Sequence, residues 1–295
     1  MDNTAIEPSD RGRKGHLVRA TRAWDIGTER ELIRMCIVVC VKQVPATHDV
    51  RIDPETKRLC REGAGATMNP FDTHALEEAL QLRNRGYGPV VALSMGPAQA
   101  ETTVRKAMAC GADSGILLCD RAFAGSDTWA TSLALACAIR KIGRVRLVLC
   151  GKQAVDGDTA QVGPGIAAHL DWPAACGVRR LAPDGDGWLA DRMLEWGTDR
   201  IRVDTPAVVT VLKDMNTPRL PTLRGYVAAR TATLTIWTAA DIGLDAAAIG
   251  LAGSPTRVVS TMPPPAREGG TRVIRGTPAH IAAEAVRHLR RRALG

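Results

Sequence analysis

From residue 35 onward, short apolar runs alternate with longer amphipathic stretches. Four runs rich in Val, Ile and Leu are too short for helices and are typical of strands buried on both faces. They occupy residues 36–41, 90–95, 115–119 and 146–150. The stretches that follow them repeat apolar residues at helical spacing, in residues 69–86, 97–111, 126–143 and 158–170. This alternation, with short connections, predicts a doubly wound, mostly parallel α/β sheet.

Capping residues support the boundaries of these helices. Asp72 is the expected N-cap of the first helix, and Pro97 stands in the first turn of the second. Ser126 or Asp127 is expected to cap the third helix, which Gly143 ends.

The pattern changes after Trp172. Residues 179–212 alternate polar and apolar positions around a Gly/Asp turn, which predicts an antiparallel hairpin leading into a strand at 207–212. The next residues, 216–245, have little periodicity and predict an exposed, extended arm, and residues 277–294 predict a C-terminal helix. We therefore expect a flexible N-terminal extension at 1–34, a folded domain at 35–218 and an arm with a docking helix at 219–295.

Composition and charge exclude several classes of protein. Apolar residues make up 45% of the 295 residues and charged residues 24%, as in globular proteins. The formal charge of +8 is concentrated in the tail, where residues 266–295 hold seven Arg and two acids, so the folded body lacks the basic stripe of a nucleic-acid binder. No apolar run approaches the roughly 20 residues that span a bilayer. With no secretory signal visible, we expect a cytoplasmic protein without membrane insertion.

The eight cysteines do not form a metal-binding pattern. They contain no C-x-x-C pair, and most lie inside apolar runs, which predicts buried, reduced thiols and no metal. No hydrolytic motif is present either, since the chain lacks G-x-S-x-G, H-E-x-x-H and the Walker lysine.

The loop after the fourth strand is the strongest candidate ligand site. Gly151 is expected to let the backbone turn, Gly157 to let it approach a ligand closely, and the amides of 159–161 to face a phosphate. Asp156 and Asp158 either compete with such a phosphate or serve as helix caps.

Six sequence blocks resemble the β subunit of electron transfer flavoprotein, in the same order and over roughly residues 35–294. They are VCVKQVP, NPFD, SMGPAQAE, GKQAVDGDTAQVGP, PAVVTV and AGSPT. The resemblance implies a Rossmann-like, adenine-nucleotide-binding sheet. It also implies a subunit that carries electrons between flavoprotein dehydrogenases and other redox partners, with no acid–base catalyst of its own.

The resemblance implies either AMP or a second FAD in the cleft. Residues 120–132 and 157–164 are similar to the FAD-holding, electron-bifurcating branch, so FAD is expected and AMP is the alternative. In that branch the hydroxyls of Thr128 and Thr131 reach the flavin ring; otherwise they are ordinary first-turn residues. The implied cofactor-binding residues are Cys40, Asn69, Pro70, Phe71, Asp72, Met95, Asp127, Thr128, Thr131, Gly151, Lys152, Gln153, Ala154, Val155, Asp156, Gly157, Asp158, Thr159, Ala160, Gln161 and Val162.

The resemblance also implies partners. The α subunit would complete a heterodimer, and the arm 219–234 would anchor on a flavoprotein dehydrogenase, such as an acyl-CoA dehydrogenase, through Leu223. Participation of NADH and of ferredoxin or flavodoxin is left open. The arm departs from the family in having arginines and no lysine, and Trp196 replaces a Gly or an acid. The alternative function is a non-catalytic regulatory module of the same fold that binds AMP or ATP.

Overall fold

The computed structural model describes residues 35–46, 51–52, 59–60, 65–259 and 273–293. The extension predicted at 1–34 lies outside these ranges. Apart from Ile52, the described residues up to Val259 form one compact unit, and Ile52 groups with residues 273–293 in a second unit.

A nine-stranded sheet forms the centre of the first unit. Its strands are β1 (Cys36–Cys40), β6 (Val90–Met95), β7 (Ser114–Leu118), β8 (Val145–Gly151), β9 (Ala174–Asp184), β10 (Gly187–Leu194), β11 (Gly197–Asp204), β12 (Ala207–Val211) and β13 (Thr235–Trp237). Their order across the sheet is β11-β10-β9-β12-β8-β1-β6-β7-β13. Four short strands lie outside this sheet: β2 (Gln43–Pro45), β3 (Arg51–Ile52), β4 (Leu59–Cys60) and β5 (Ala66–Met68). Of these, β2 and β5 pair with each other in antiparallel fashion.

Most neighbours in the large sheet are parallel, which confirms the predicted fold class. β1 pairs in parallel with β6 and β8, and β12 pairs in parallel with β8 and β9. The antiparallel part is a meander, because β10 pairs antiparallel with both β9 and β11. The predicted hairpin before the strand at 207 is therefore confirmed, with one strand more than a hairpin has.

Six α-helices occur in the described residues. They are α1 (Pro70–Asn84), α2 (Glu101–Cys110), α3 (Thr128–Ile142), α4 (Val162–Leu170), α5 (Leu223–Thr231) and α6 (Pro278–Ala293). Four 3-10 turns accompany them, at Ala98–Ala100, Arg121–Phe123, Ala240–Ile242 and Ala246–Ala248.

Helices of the first unit cover both faces of the sheet, and the strands between them are buried. β1 shows the arrangement, since alternate residues of a strand point to opposite faces. Val39 packs in the core that contains Leu76 of α1 and Val104 of α2. Val38 packs in the core that contains Leu135 of α3. Two apolar layers therefore explain why the strand runs are continuously apolar.

Three predicted helix starts are wrong. α2 begins at Glu101 rather than at Pro97, which precedes the 3-10 turn at Ala98–Ala100. The N-cap of α1 is Asn69, and Asp72 lies in the first turn, where its carboxylate binds other loops. α4 begins at Val162 rather than near 158, because Asp158 (φ 52°) and Ala160 (φ 54°) adopt left-handed backbone that a helix excludes.

The predicted extended arm contains a helix. α5 packs on α2, where a Cβ at Gly225 would overlap the carbonyl of Ala109. Of its residues only Ala229 is buried, so the sequence lacks the apolar period that announces a helix. Residues 219–259 belong to the same compact unit as the sheet. The domain boundary at 218 and its functional meaning stay predictions.

Candidate functional site

A cavity of about 360 Å³ opens at the carboxyl ends of β1, β6 and β8. Open α/β sheets bind ligands at this edge. The predicted site residues that line it are Cys40, Asn69, Asp72, Met95, Asp127, Thr128, Thr131, Gly151, Lys152, Gln153, Ala154, Gly157, Thr159, Ala160, Gln161 and Val162. Five others do not line it: Pro70, Phe71, Val155, Asp156 and Asp158. The structure thus brings most of the predicted set to one cavity.

Sequence reasoning missed nine residues of the lining. They are Val41, Lys42, Leu93, Phe123, Gly125, Ser126, Leu135, Cys150 and Gly163. Several are apolar residues whose patterns already explained them as core. Others, such as Ser126 and Gly163, are direct neighbours of predicted site residues. Their position in or next to the loops at the strand ends was the sequence signal that could have identified them.

A buried pair of side chains, Asn69 and Asp72, joins three loops around the cavity. The Asn69 side-chain amide donates to the Asp72 carboxylate (2.8 Å) and to the carbonyl of Gln153 (2.9 Å). Its oxygen accepts from the amide of Val155 (3.2 Å), and Asp72 accepts from the amide of Lys42 (2.8 Å). The loops after β1 and β8 are therefore both tied to the start of α1.

Among the carboxyl groups that line the cavity, Asp72 has the pKa that is shifted furthest from its ordinary value. Burial raises its pKa to about 7, although hydrogen bonds from Asn69 and from the amides of Lys42 and Gly151 favour the charged form. A buried carboxyl that titrates near neutral pH marks a candidate functional site.

The two glycines of the loop, Gly151 and Gly157, have different surroundings. A Cβ on Gly151 would lie 2.6 Å from Cβ of Phe71 and would overlap the Asp72 carboxylate. Gly151 therefore lets α1 approach β8, and its predicted role in letting the backbone turn stays a prediction. Nothing lies within 4 Å of a Cβ placed on Gly157, which borders open space.

Asp156 and Asp158 do not cap α4. The Lys42 ammonium pairs with Asp156 at 2.7 Å, and the Gln153 side chain donates to Asp158. The N-cap of α4 is Gln161, without a side-chain hydrogen bond to the helix. The capping alternative is therefore wrong, and the first amides of α4 are left without an acidic cap beside the cavity.

The side chain of Asp127 caps the N-terminus of α3. Asp127 accepts from the amide of Ala130 (3.1 Å), which confirms one of the two predicted caps. It also accepts from the amide (3.0 Å) and hydroxyl (2.7 Å) of Thr256, and its own amide donates to Ser254 (2.9 Å). Burial raises the pKa of Asp127 and these bonds lower it, which leaves it below its ordinary value. The AGSPT block thus holds the α3 terminus in place.

The two threonines of α3 differ in their bonding. The Thr128 hydroxyl donates to the side-chain oxygen of Gln161 at 3.0 Å, which links α3 to the loop before α4. Thr131 lines the cavity, and within the described part of the chain no hydrogen bond engages its hydroxyl. Thr131 therefore retains a donor for a ligand.

Cys40 and Cys150 are neighbours on paired strands at the cavity floor. Contact with Cys40 and burial together raise the pKa of Cys150 well above its ordinary value, so it is a protonated thiol. Among the described residues, no three His, Cys, Asp or Glu side chains are grouped to hold a metal ion. No helix in the same ranges is long and apolar enough to cross a membrane.

Leu223 is not part of the cavity lining. It is the first residue of α5 and is 84% exposed.

Comparison with known proteins identifies the family. The electron transfer flavoprotein domain matches residues 56–242. The electron transfer flavoprotein subunit beta of Thermoanaerobacterium thermosaccharolyticum is 48% identical over 237 residues, covering 80% of this chain and 91% of the relative. The Caffeyl-CoA reductase-Etf complex subunit CarD of Acetobacterium woodii is 43% identical over 257 residues, covering 87% of this chain and 98% of the relative. Protein FixA of Bradyrhizobium diazoefficiens is 43% identical over 238 residues, covering 78% of this chain and 83% of the relative. The chain therefore belongs to the electron transfer flavoprotein family and is a β subunit of that family.

Proposed function

We propose that this chain is the cytoplasmic, FAD-holding β subunit of an electron transfer flavoprotein heterodimer. The observation that carries the cofactor assignment is the cavity at the strand ends, whose wall runs from the start of α4 to the first turn of α3. Its volume of about 360 Å³ falls within the roughly 300–1,000 Å³ of small-molecule sites. The alternative of a regulatory module is not favoured, because the matched family consists of electron carriers.

The two helix termini would recognise different parts of a dinucleotide. A helix N-terminus attracts phosphate through its free amides and its dipole. At α4, Val162 and Gly163 line the cavity and no side chain caps the helix, so this end would hold phosphate. At α3 the charged Asp127 already occupies that role, which disfavours a second anion there.

The uncharged ring of a flavin suits the α3 end. There the lining combines apolar Phe123 and Leu135 with the hydroxyl of Thr131. In this family FAD supplies the one- and two-electron chemistry. The residues of this chain would hold the cofactor, keep it in an apolar surrounding and adjust its redox potential by hydrogen bonding.

The proposed partners follow from the relatives and the exposed arm. The name of CarD places that relative in a complex with a CoA-thioester reductase, which favours a flavoprotein of the acyl-CoA dehydrogenase class as partner here. The exposed Leu223 would anchor that dehydrogenase. The α subunit would carry the other FAD, and NADH with ferredoxin or flavodoxin would be the further partners if electrons bifurcate.

Counting cofactors in the co-expressed heterodimer tests this proposal. The β and α chains are purified together, denatured, and the released FAD and AMP are quantified by chromatography. Two FAD per heterodimer are expected. One FAD with one AMP would overturn the FAD assignment, and absence of any nucleotide beyond that of the α subunit would overturn nucleotide binding by this chain.

A further inference from the structure

Two acidic side chains in the middle of α1 take no part in the cavity. Glu77 and Glu78 are each only 6% exposed. A buried carboxylate is costly unless it is paired and hydrogen-bonded. Both side chains are directed to the segment that follows β12, since Glu78 accepts from the side chain of Asn216 (3.4 Å) and Glu77 accepts from Arg219.

Arg219 makes three hydrogen bonds to Glu77. Its backbone amide (3.1 Å) and Nε (2.8 Å) donate to one carboxylate oxygen, and Nη2 (3.0 Å) donates to the other. Burial raises the pKa of Glu77, the bonds from Arg219 lower it, and the pKa ends below its ordinary value. The carboxylate is therefore charged, and the planar guanidinium fixes the direction of the chain as well as its distance from α1.

The anchored segment is also held at its start, where the Asn216 side chain donates to the carbonyl of His74 in α1 (3.1 Å). Residues 216–222 form neither helix nor strand. The far end of α5 is held by Arg105, which donates to the carbonyls of Ala229 (2.6 Å) and Ala232 (3.1 Å). At the near end, Gly225 packs on the backbone of α2. The Arg219 pair is the charged contact that ties this near end to α1.

Large apolar side chains are exposed directly after the anchor. Leu220 is 87% exposed and Leu223 84%, and Tyr226 and Val227 are more than half exposed. Four such side chains within eight residues form a patch of the kind that marks protein interfaces. Presenting them in one fixed direction reduces the entropy lost on docking.

We propose that Arg219, acting through Glu77, is the positioning residue that fixes Leu220 and Leu223 for insertion into an apolar recess of a partner flavoprotein. This inference rests on the proposed function. It also gives α1 two tasks, because its first turn lines the cavity through Asp72 while its middle holds the docking segment.

Amide hydrogen exchange on the co-purified heterodimer tests the anchor itself. The amides to follow are those of Gly225 and Tyr226, which donate to Thr222 at 3.0 and 2.8 Å. In Arg219→Gln we expect their exchange to accelerate at least tenfold, with no change near Ala232. Glu77→Gln should act similarly, and the double variant should add little. Exchange equal to wild type at these two amides would overturn the proposal.

Arg83→Gln is the matched control. It removes an equally short ion pair from the same helix, since Arg83 donates to Asp113 at 2.7 and 2.6 Å, and among the described residues no hydrogen bond joins Arg83 to the arm. Its exchange at Gly225 and Tyr226 should equal that of the wild type.

Electron transfer from a short-chain acyl-CoA dehydrogenase, reduced by its thioester substrate, tests the docking role. Arg219→Gln should raise the apparent KM for the dehydrogenase at least fivefold with kcat within twofold, and Arg219→Lys should restore part of the loss. Faster amide exchange with an unchanged KM would overturn the docking role. If the wild-type heterodimer accepted no electrons from this enzyme, the proposed partner would be wrong, and amide exchange would still decide whether Arg219 anchors the arm.

Discussion

The side-chain amide of Asn69 donates to the carboxylate of Asp72 across 2.8 Å, in the lining of the cavity at the strand ends. Because Asn69 also binds Gln153 and Val155, while Asp72 binds the amide of Lys42, this one contact ties together the loops that follow β1 and β8. The shape of the site therefore depends on a carboxyl whose pKa burial has raised to about 7.

Asp72→Asn should change the dependence of stability on pH. A carboxyl whose pKa is higher folded than unfolded stabilises the fold fully below the unfolded pKa, and that contribution is lost as the pH rises to about 7. From about pH 4 to 7, the unfolding free energy of the variant should therefore rise relative to wild type, by at most about 1.4 kcal/mol per pH unit. Urea unfolding at several pH values measures this difference.

Asp113→Asn is the control, with the opposite sign. Burial raises the pKa of Asp113, and hydrogen bonds from Arg83 and the amide of Val90 lower it below its ordinary value. Its contribution is present above the unfolded pKa and lost as the pH falls, so this variant should lose stability relative to wild type as the pH rises. Parallel curves for Asp72→Asn and wild type would contradict the raised pKa.

Gly151→Ala should destabilise the protein while Gly157→Ala should not. The added methyl group at Gly151 meets Phe71 and the Asp72 carboxylate, and overpacking of this kind costs about 1–3 kcal/mol. At Gly157 nothing lies within 4 Å. Thermal unfolding of both variants provides the measurement, and equal midpoints would show that α1 moves freely away from β8.

Gly157→Val should reduce nucleotide binding without unfolding the protein. Gly157 lines the cavity and faces open space, so a branched side chain would occupy part of the volume that the ligand needs. The readout is FAD or AMP released per heterodimer on denaturation, with Gly65→Val as the control, since Gly65 is exposed, lies outside the lining and does not have a left-handed φ. Unchanged nucleotide content would contradict this role of the loop.

Thr131→Val should shift the potential of a bound flavin more than Thr128→Val. The Thr128 hydroxyl is committed to Gln161, whereas that of Thr131 is engaged by no residue in the described ranges. Losing a hydrogen bond of about 1 kcal/mol corresponds to roughly 40 mV for one electron. Potentiometric titration of both variants measures the shifts, and a larger effect of Thr128→Val would reverse the assignment.

Leu223→Ala should weaken docking of the dehydrogenase by about 2 kcal/mol, the usual cost of truncating a hot-spot side chain. Leu223 is 84% exposed and does not line the cavity, so nucleotide content and the thermal midpoint of the heterodimer should stay unchanged. Steady-state electron transfer and thermal unfolding are measured together. A lower midpoint with normal electron transfer would show that Leu223 has a structural role instead.

The apolar pattern by itself determined the sheet and its covering helices. The strand at Val90–Met95 and the helix at Thr128–Ile142 are recognisable because burial on both faces demands a continuous apolar run, and burial on one face demands a helical period. The loops at the strand ends followed from that topology, since parallel strands bring their carboxyl ends to one edge. The ordered blocks, from VCVKQVP to AGSPT, also determined the family.

Only the tertiary structure decided which side chains act on one another. Asp72 looked like a helix cap, but contacts from residues distant in sequence bury it and raise its pKa. Ala160 carries no sequence signal for its left-handed backbone, and Asp158 carries only the weak preference of aspartate for that region. α5 is stabilised by packing on α2, and Arg219 meets Glu77 across 142 positions. Contacts between distant segments depend on the folded geometry, which local periodicity does not encode.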